Sequence, residues 1–443
     1  MTHPSSPDTI PPAQFAERRR KVLEALDSDA MLLPAAPPLI RGGDSELPYR
    51  PDSELFYLTG VREPGALLLL RGFANEARVV LYVHERDPKM EQWTGLRAGP
   101  EGTRSHLGID DVRSAGQIEG ELPGLLAGAE ALHFRLDDRA PRIRRIVLEA
   151  LRNARARGAR TGIGPRGVLD PGGILDEFRL RKDPTEIEAI RAAVRLTLAG
   201  FEAARDLLRP GVGEWEVEAA LTGAFRRAGA DAPAFAPIVA SGPNACILHY
   251  IENRRRIEEG ELVLIDAGAE LDLYGGDITR TFPVGDAASP EQEAILAIVD
   301  RARRSAIEAI GPGRTIAGVH RAARLTLLEG LVDIGLLEGE IEALLEADAD
   351  RPWFPHQTSH WLGLDTHDPG DYVVDGESRV LEPGMVLTVE PGLYLPEPGF
   401  FGPVPDGRDP PPDPGHFAGI GVRIEDDVLV TAEGAEVLSR DPS

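Results

Sequence analysis

A chain of 443 residues is too long for one ordinary hydrophobic core and predicts two domains. Its 42% hydrophobic and 27% charged residues are typical of globular proteins, and no apolar run approaches the roughly 20 residues that span a bilayer. The net charge of −25 argues against nucleic acid as a partner, because phosphate contacts need Lys and Arg. The single cysteine, Cys246, excludes intrachain disulfides and cysteine-ligated zinc or iron–sulfur sites, which fits a cytoplasmic location.

The first part of the chain predicts a small α/β domain over residues 1–172. Short apolar runs at 66–70, 79–83 and 131–134 predict strands, with turn-rich and helical stretches between them. An arginine-rich stretch over 142–160 interleaves with Ile146, Val147, Leu148 and Leu151. This pattern predicts the solvated face of an amphipathic helix rather than a nucleic-acid patch.

Helix start signals mark the second domain, residues 173–443. Asp183 is a predicted N-cap followed by Pro184, and a long helix is expected to bury Ile187, Ile190, Val194, Leu198, Phe201 and Leu208. Ser289 and Gln292 have the spacing of a capping box at a second helix start. Runs at 262–265 and 386–389 predict buried strands, and the proline-rich segment 396–415 predicts a surface loop. The loop is either a mobile rim of the site or a tolerated insertion, and the latter is favoured.

An internal repeat concentrates carboxylates in this second domain. Residues 260–268 and 384–392 share one layout, in which a glycine opens an apolar strand, an acid follows six residues later, and a second glycine follows after one more residue. Each half then offers a further acid near a glycine-rich strand start. The four acids in equivalent places are Asp266, Asp277, Glu390 and Glu425.

Duplicated half-domains face each other, so acids at equivalent strand ends are expected to converge. Converging carboxylates repel one another strongly unless cations neutralise them or protons bind. A pair of divalent ions is the simplest solution, and ligation by oxygens with one imidazole favours Mn²⁺, Mg²⁺, Fe²⁺ or Co²⁺. Such a pair generates a hydroxide nucleophile and polarises a carbonyl.

Histidines cluster beside the same strands, at positions 249, 356, 360 and 367. His356 and His360 have the spacing of a helical zinc pair, but Gln357 stands where a metalloprotease helix needs its Glu base. That interpretation therefore fails. Other histidines, among them His320, are expected to be surface or packing residues.

The motifs around these residues resemble the bacterial aminopeptidase P family of Xaa-Pro aminopeptidases. The similarity covers nearly the whole chain and includes Trp93 in the first domain. The matching segments are 49–53, 56–60, 247–250, 264–268, 276–282, 359–365, 382–385, 389–392 and 423–427.

The resemblance implies an α/β fold with a small N-terminal α/β domain and a C-terminal pita-bread domain that contains a pseudo-twofold repeat. It also implies two divalent metal ions, Mn²⁺ as the expected pair. By similarity to relatives, Asp266 would hold one ion. Asp277 and Glu425 would bridge both ions, and His360 and Glu390 would complete the second.

Further roles follow from the same resemblance. Glu390 is the expected shuttle for the proton of the attacking hydroxide, and His249 and His367 are expected to hydrogen-bond the substrate or the tetrahedral intermediate. His356 would border the proline pocket, and Arg423 would orient a ligand carboxylate. Trp93 would close the site of a neighbouring subunit in a dimer or tetramer. The role of Tyr394 is left open.

The expected reaction is hydrolysis of the bond between an N-terminal residue and a following proline in peptides. An Xaa-Pro dipeptidase, which shares the fold and all five ligands, remains open as an alternative. Methionine aminopeptidase also shares the ligands but lacks a large N-terminal domain. A non-catalytic pita-bread binding protein is the alternative from another class, although such proteins have lost ligand residues that are present here.

Overall fold

The computed structural model of the chain describes residues 10–72, 77–136, 140–161, 164–285, 287–401 and 412–440. The chain divides into two units, Met1–Phe178 and Arg179–Ser443. The boundary predicted between residues 172 and 173 stays a prediction. Among the described residues no helix combines the length and the apolar character needed to cross a membrane.

The described part of the first unit contains a mixed six-stranded sheet. The strands of this unit are β1 (Ala30–Pro34), β2 (Ile40–Gly42), β3 (Ser45–Glu46), β4 (Leu67–Arg71), β5 (Arg78–Val83), β6 (Asp111–Ser114), β7 (Ala131–His133) and β8 (Gly167–Leu169). Its helices are α1 (Pro12–Leu26), α2 (Ser53–Thr59), α3 (Pro88–Thr94), α4 (Gly99–Leu107), α5 (Ile118–Leu125), α6 (Pro141–Thr161) and α7 (Gly172–Leu180), with a 3-10 turn at Ala115–Gln117. The sheet order is β6-β5-β4-β1-β7-β8, and β2 pairs with β3 alone.

The three strands predicted in this unit are confirmed as β4, β5 and β7, and the arginine-rich stretch is confirmed as helix α6. α6 buries Ile146, Val147 and Ala150 against the sheet and α5, whereas Leu148 is half exposed. The amphipathic pattern therefore predicted the helix correctly but extended its apolar face by one residue.

The second unit consists of helices and short antiparallel strands. Its helices are α8 (Pro184–Arg205), α9 (Glu214–Ala228), α10 (Pro290–Glu308), α11 (Ile316–Asp333) and α12 (Ile341–Glu346), with 3-10 turns at Gly242–Cys246 and Gly415–Phe417. Its strands are β9 (Ala232–Pro233), β10 (Ile238–Ser241), β11 (Leu262–Ala267), β12 (Ala269–Leu271), β13 (Tyr274–Gly275), β14 (Ile278–Pro283), β15 (Val373–Val374), β16 (Glu377–Ser378), β17 (Val386–Val389), β18 (Gly392–Leu395), β19 (Ile420–Arg423), β20 (Asp426–Val430) and β21 (Ala435–Val437).

Both predicted helix starts are confirmed by their capping hydrogen bonds. The Asp183 side chain accepts from the backbone N–H groups of Thr185 and Glu186 at the start of α8. Ser289 accepts from the Gln292 N–H at the start of α10, and the Gln292 side chain accepts in return from Ser289. Such caps satisfy backbone donors that the first helical turn leaves free.

The predicted stripe of α8 is only partly buried. Ile190, Val194 and Phe201 are buried, but Ile187 and Leu198 are partly exposed, and the helix ends before Leu208. Small residues between the large ones complete the buried face of α8. These are Ala189, Ala193, Thr197, Gly200 and Ala204.

The predicted duplication corresponds to two similar strand arrangements. β11 pairs antiparallel with β14, and β17 pairs antiparallel with β20. Every residue of β11 and β17 is buried, and full burial of a Val or Ile side chain stabilises the fold by about 1.5–3 kcal/mol. The strands that carry the acids are therefore rigid parts of the core.

The proline-rich segment predicted as a surface loop lies largely outside the described residues, at 402–411. Its described ends follow β18 and precede the 3-10 turn at Gly415–Phe417.

Candidate metal centre

The four acids of the repeat lie at matching ends of the two strand pairs. Asp266 is the second-last residue of strand β11, Asp277 immediately precedes β14, Glu390 immediately follows β17 and Glu425 immediately precedes β20. A bridge between Thr279 and Glu425 joins the two halves, because the Glu425 N–H donates to the Thr279 carbonyl at 3.0 Å. The Thr279 hydroxyl also donates to Glu425 Oε2 at 2.6 Å.

Each strand acid is followed, after one residue, by a glycine that leaves no room for a side chain. A Cβ on Gly268 would lie 1.7 Å from the carbonyl oxygen of Gly276. A Cβ on Gly392 would lie 2.7 Å from the Tyr394 hydroxyl and 2.9 Å from the Val422 carbonyl. The repeated glycines therefore let neighbouring backbone approach the acids closely.

Asp277, His360 and Glu425 form a compact group of possible metal ligands. Each offers one ligand atom, and these atoms all lie within 4.8 Å of one another. The two acids are almost inaccessible, with Asp277 4% and Glu425 2% exposed. Two buried carboxylates beside an imidazole suit a divalent cation.

The backbone around His360 determines which nitrogen faces the acids. His360 Nδ1 lies 3.1 Å from the Trp361 carbonyl, which can only accept, so Nδ1 carries the proton. Nε2 then presents a lone pair, and it lies 3.3 Å from Asp277 Oδ2 and 3.7 Å from Glu390 Oε1. A ring held in this way by a carbonyl is typical of a metal-ligating histidine.

Asp266 and Glu390 border the same group. Asp266 Oδ2 accepts from the Arg423 guanidinium at 2.6 Å, while its buried Oδ1 has no hydrogen-bond partner among the described residues. The Glu390 N–H donates to the Thr358 carbonyl at 2.8 Å, which fixes the backbone at Glu390. An unpaired buried carboxylate oxygen is costly, and a bound cation would satisfy it.

The electrostatics of the cluster also favour a cation. Burial raises the pKa of Asp277 and of Glu425 well above the usual values, and the neighbouring acids raise both pKa values further. Burial raises the pKa of Glu390 as well, and it raises the pKa of Asp427 to about 8. The ionised cluster is therefore unfavourable by itself, and the donor set fits divalent metal ions.

Arg423 connects this cluster to Tyr394. The guanidinium is buried, and it donates to Asp266, to the Thr279 hydroxyl at 3.0 Å and to the Tyr394 hydroxyl at 2.9 Å. Burial raises the pKa of Tyr394 to about 12, so its phenol stays neutral. Tyr394, whose role the sequence left open, thus extends the network by hydrogen-bonding His356.

His356 is a neutral imidazole between Tyr394 and Glu390. Its Nδ1 lies 2.8 Å from the Gln357 carbonyl and therefore donates, so Nε2 accepts from the Tyr394 hydroxyl at 2.9 Å. Burial, followed by the charge of Arg423, lowers the pKa of His356 to about 3. Nδ1 also lies 3.6 Å from Glu390 Oε2.

His249 and His367 lie at the exposed side of the cluster. The ring of His367 is 4.4 Å from the ring of His360, centroid to centroid. Burial, followed by the charges of His360 and His249, lowers the pKa of His367. The four histidines predicted near the acids are thus brought together in space.

Trp93 lies in the first unit, near the end of α3, and is 84% exposed. Its predicted part in closing a neighbouring site stays a prediction.

Sequence reasoning gave His320 no part in the site and expected a surface or packing residue, and its ring does pack 5.7 Å from that of Phe354, centroid to centroid. His320 Nδ1 accepts from the Thr358 N–H at 3.2 Å and lies 2.8 Å from the Thr358 hydroxyl. Thr358 in turn holds the backbone of Glu390. No sequence motif marks this contact, because His320 lies on α11 and Thr358 is 38 positions further along the chain.

His320 predicts a stability loss at mildly acidic pH. Burial, followed by the charge of Arg324, lowers the pKa of His320 to about 4 from a usual 6.5. Between these pH values the unfolded chain binds a proton that the folded protein does not, so stability falls as the pH falls through this window. We expect this effect of His320 to lower the free energy of unfolding by roughly 2 to 3 kcal/mol between pH 7 and pH 4.

This prediction is checked by urea unfolding of metal-free wild type and His320→Gln protein across that pH range. The variant should lose less stability on acidification than the wild type. Parallel pH dependences of the two proteins would contradict the assignment.

Two family models match this chain. The model of metallopeptidase family M24 matches residues 188–432, and that of the aminopeptidase P N-terminal domain matches residues 15–133. The chain is 39% identical over 428 residues to the Xaa-Pro aminopeptidase of Escherichia coli, with 96% of this chain and 94% of that relative covered.

Solved structures give the same result for the fold. Aminopeptidase PepP of Pseudomonas aeruginosa matches with a TM-score of 0.89 and 42% identity over 97% of this chain and 95% of that one. Aminopeptidase P of Escherichia coli with the inhibitor Pro-Leu matches with a TM-score of 0.89 and 38% identity over the same shares. The predicted α/β fold with a C-terminal pita-bread domain is confirmed, and the chain belongs to the aminopeptidase P group of metallopeptidase family M24.

Proposed function

We propose that this metallopeptidase is an Xaa-Pro aminopeptidase that releases the N-terminal residue from peptides with proline in second position. The observation that carries this proposal is the compact group of Asp277, His360 and Glu425 at the junction of two duplicated strand pairs. The names of the relatives and the full-length similarity support the same substrate class.

The metal ligands of this proposal are Asp266, Asp277, His360, Glu390 and Glu425, with two Mn²⁺ ions as the expected pair. Asp266 would hold one ion, Asp277 and Glu425 would bridge both, and His360 and Glu390 would complete the second. Oxygen ligands with one neutral imidazole favour such hard cations. When bound, the ions would supply Lewis acidity and lower the pKa of the attacking water.

The chain's own groups supply the rest of the chemistry. Glu390, whose pKa burial raises, is suited to take up a proton at its carboxylate and to deliver it to the leaving amine. His249 and His367, on the exposed side, would donate hydrogen bonds to the oxyanion that develops from the scissile carbonyl. Arg423 would orient the carboxylate of Asp266 through their 2.6 Å hydrogen bond.

His356 is proposed to border the pocket for the proline ring. Its neutral state, imposed by burial, makes this wall of the site largely apolar. Trp93 is proposed to contact substrate in a neighbouring subunit of a dimer or tetramer, which its 84% exposure permits.

Three broader proposals accompany this function. The catalytic domain is proposed to begin at residue 173, after an N-terminal domain of residues 1–172. The acidic composition supports peptides rather than nucleic acid as partners, and the single cysteine, which is buried, supports a cytoplasmic location.

Peptide hydrolysis by metal-stripped and Mn²⁺-reloaded protein tests the proposal. The substrates are an Xaa-Pro dipeptide, a longer Xaa-Pro-Xaa peptide and the same longer peptide with Ala in place of Pro. We expect Mn²⁺-dependent release of the first residue from the longer proline peptide alone or best. Cleavage of the dipeptide alone would identify a dipeptidase, and no cleavage with both ions bound would indicate a binding protein.

A further inference from the structure

The segment that carries His249 has little regular structure of its own. It runs from the end of β10, through the 3-10 turn at Gly242–Cys246, to the start of β11. Within the described residues the His249 imidazole makes no hydrogen bond, so its position depends on the backbone of this segment. We call the first part of this segment, residues 241–255, the His249 loop.

His249 nevertheless lies close to the other site histidines. Its charge is among the causes that lower the pKa values of His356 and His367, after the larger effect of burial. Gly421 on β19 lets the loop approach the site, because a Cβ there would lie 2.3 Å from the Ala245 carbonyl oxygen. The loop is therefore packed against a strand of the metal centre.

Glu214, the first residue of α9, binds both ends and the middle of the His249 loop. Its side chain is completely buried. Oε1 accepts from the Ser241 N–H at 2.9 Å, the Ser241 hydroxyl at 2.7 Å and the Asn244 amide at 3.2 Å. Oε2 accepts from the Tyr250 hydroxyl at 2.9 Å and the Arg255 N–H at 2.7 Å.

These five hydrogen bonds fill the accepting positions of one buried carboxylate. Hydrogen bonds to a charged acceptor are about twice as strong as those between neutral groups, and they offset the cost of burying the charge. The Glu214 N–H also donates to the Arg255 carbonyl at 2.9 Å, so the loop closes on the helix start from both sides.

Asn253 is a second residue that holds the loop, and it contacts residues other than Glu214. The Asn253 side chain accepts from the Val239 N–H and donates to the Pro237 carbonyl and to Glu218. These contacts hold the strand side of the loop. Tyr250, the neighbour of His249, is instead tied to Glu214.

We propose that Glu214 is the positioning residue that holds His249 in place for the reaction. This inference rests on the proposed function, in which His249 contacts the reacting substrate. Glu214 acts only through the loop and touches neither the metal ligands nor the substrate.

The test is a double-mutant cycle with Glu214→Gln and His249→Ala. Gln keeps the shape of Glu214 but turns one accepting atom into a donor that faces the donors of the loop. We expect Glu214→Gln to lower kcat for the Xaa-Pro-Xaa peptide about 10- to 100-fold, as for other residues that orient a catalytic group, with unchanged metal content. In the His249→Ala background the same substitution should cost less than about twofold, because the two residues act as a unit.

Two further measurements keep the test independent of activity and of folding. The His249 imidazole resonances in NMR spectra of the Mg²⁺-loaded protein, which is free of the paramagnetic broadening that Mn²⁺ causes, should shift or broaden in Glu214→Gln but not in Glu202→Gln, a matched change at an exposed position of α8. Tyr250→Phe removes one of the five hydrogen bonds, and it should reproduce the kinetic effect at a smaller, few-fold size if Glu214→Gln folds poorly.

Several results would overturn the inference. An equal kinetic loss from Glu214→Gln with and without His249 would mean that Glu214 supports the domain in general. Unchanged His249 resonances in Glu214→Gln, or no kinetic cost of His249→Ala in an active enzyme, would also reject it. Failure of the proposed function looks different, because wild-type protein would then not hydrolyse the proline peptide at all, whatever the resonances show.

Discussion

Replacing Asp277 by Asn is expected to abolish metal-dependent hydrolysis and, at the same time, to stabilise the metal-free protein. Loss of one carboxylate of the proposed metal site should lower kcat/KM by at least about 10³-fold, which corresponds to about 4 kcal/mol in the barrier. Burial and the neighbouring acids raise the pKa of Asp277, so its ionised form is unfavourable in the absence of a cation. A neutral Asn removes that repulsion, and the melting temperature without metal should rise by at least about 2 °C.

The measurement combines metal content, peptide hydrolysis and calorimetry with and without Mn²⁺. Wild-type protein should gain stability from Mn²⁺, since ligand binding to the folded state alone stabilises it, and the variant should gain much less. Asp333→Asn is the matched control, because Asp333 is largely exposed at the end of α11 and makes only a loose 3.7 Å ion pair with Arg301. A metal-free variant that melts below the wild type would show that the cluster is not electrostatically strained.

Much of the fold could be predicted because local signals and tertiary structure agree. The capping residues Asp183 and Ser289 mark helix starts that the structure confirms, and the apolar runs of β11 and β17 are buried throughout. Where the helix α8 departs from prediction, the reason is packing. Small residues such as Ala193 and Gly200 form its buried face, and a search for large apolar residues overlooks them.

The metal centre was predicted from the repeat because its acids keep the same place relative to glycines. Those glycines are required by close backbone approach, so the motif records geometry as well as chemistry. The predicted enzyme class is confirmed by family membership. The assigned role of each residue stays a prediction until it is measured.

The supporting residues could not be predicted, since they are distant in sequence and of ordinary type. Glu214 lies 35 positions before His249, and its four partner residues become neighbours only when the loop closes on α9. His320 and Tyr394 carry no motif that separates them from packing residues. From the sequence alone, an acid at a helix start such as Glu214 is interpreted as a charge that stabilises the helix.

Replacing Asp368 by Asn is expected to give the largest loss of stability outside the metal centre. Asp368 adjoins His367 and is fully buried with two cations, at 2.6 Å from Arg179 and 2.9 Å from Lys182. Burial alone would raise the pKa of Asp368, but Arg179 and Lys182 bring it below the usual range. Breaking a buried ion pair leaves a charge without compensation, and the expected cost is about 3–5 kcal/mol.

Calorimetry of the metal-loaded protein measures this loss as a fall in melting temperature of at least about 6 °C. Asp365→Asn is the matched control, because Asp365 contacts the same Arg179 at 2.7 Å but its side chain is 38% exposed, so its loss should cost less than about 1 kcal/mol. Adding Lys182→Met to Asp368→Asn should recover part of the stability, since the unpaired buried ammonium is then removed. Equal losses from the two aspartates would mean that burial does not determine the strength of this network, and a fully additive double variant would mean that Lys182 and Asp368 do not act as a pair.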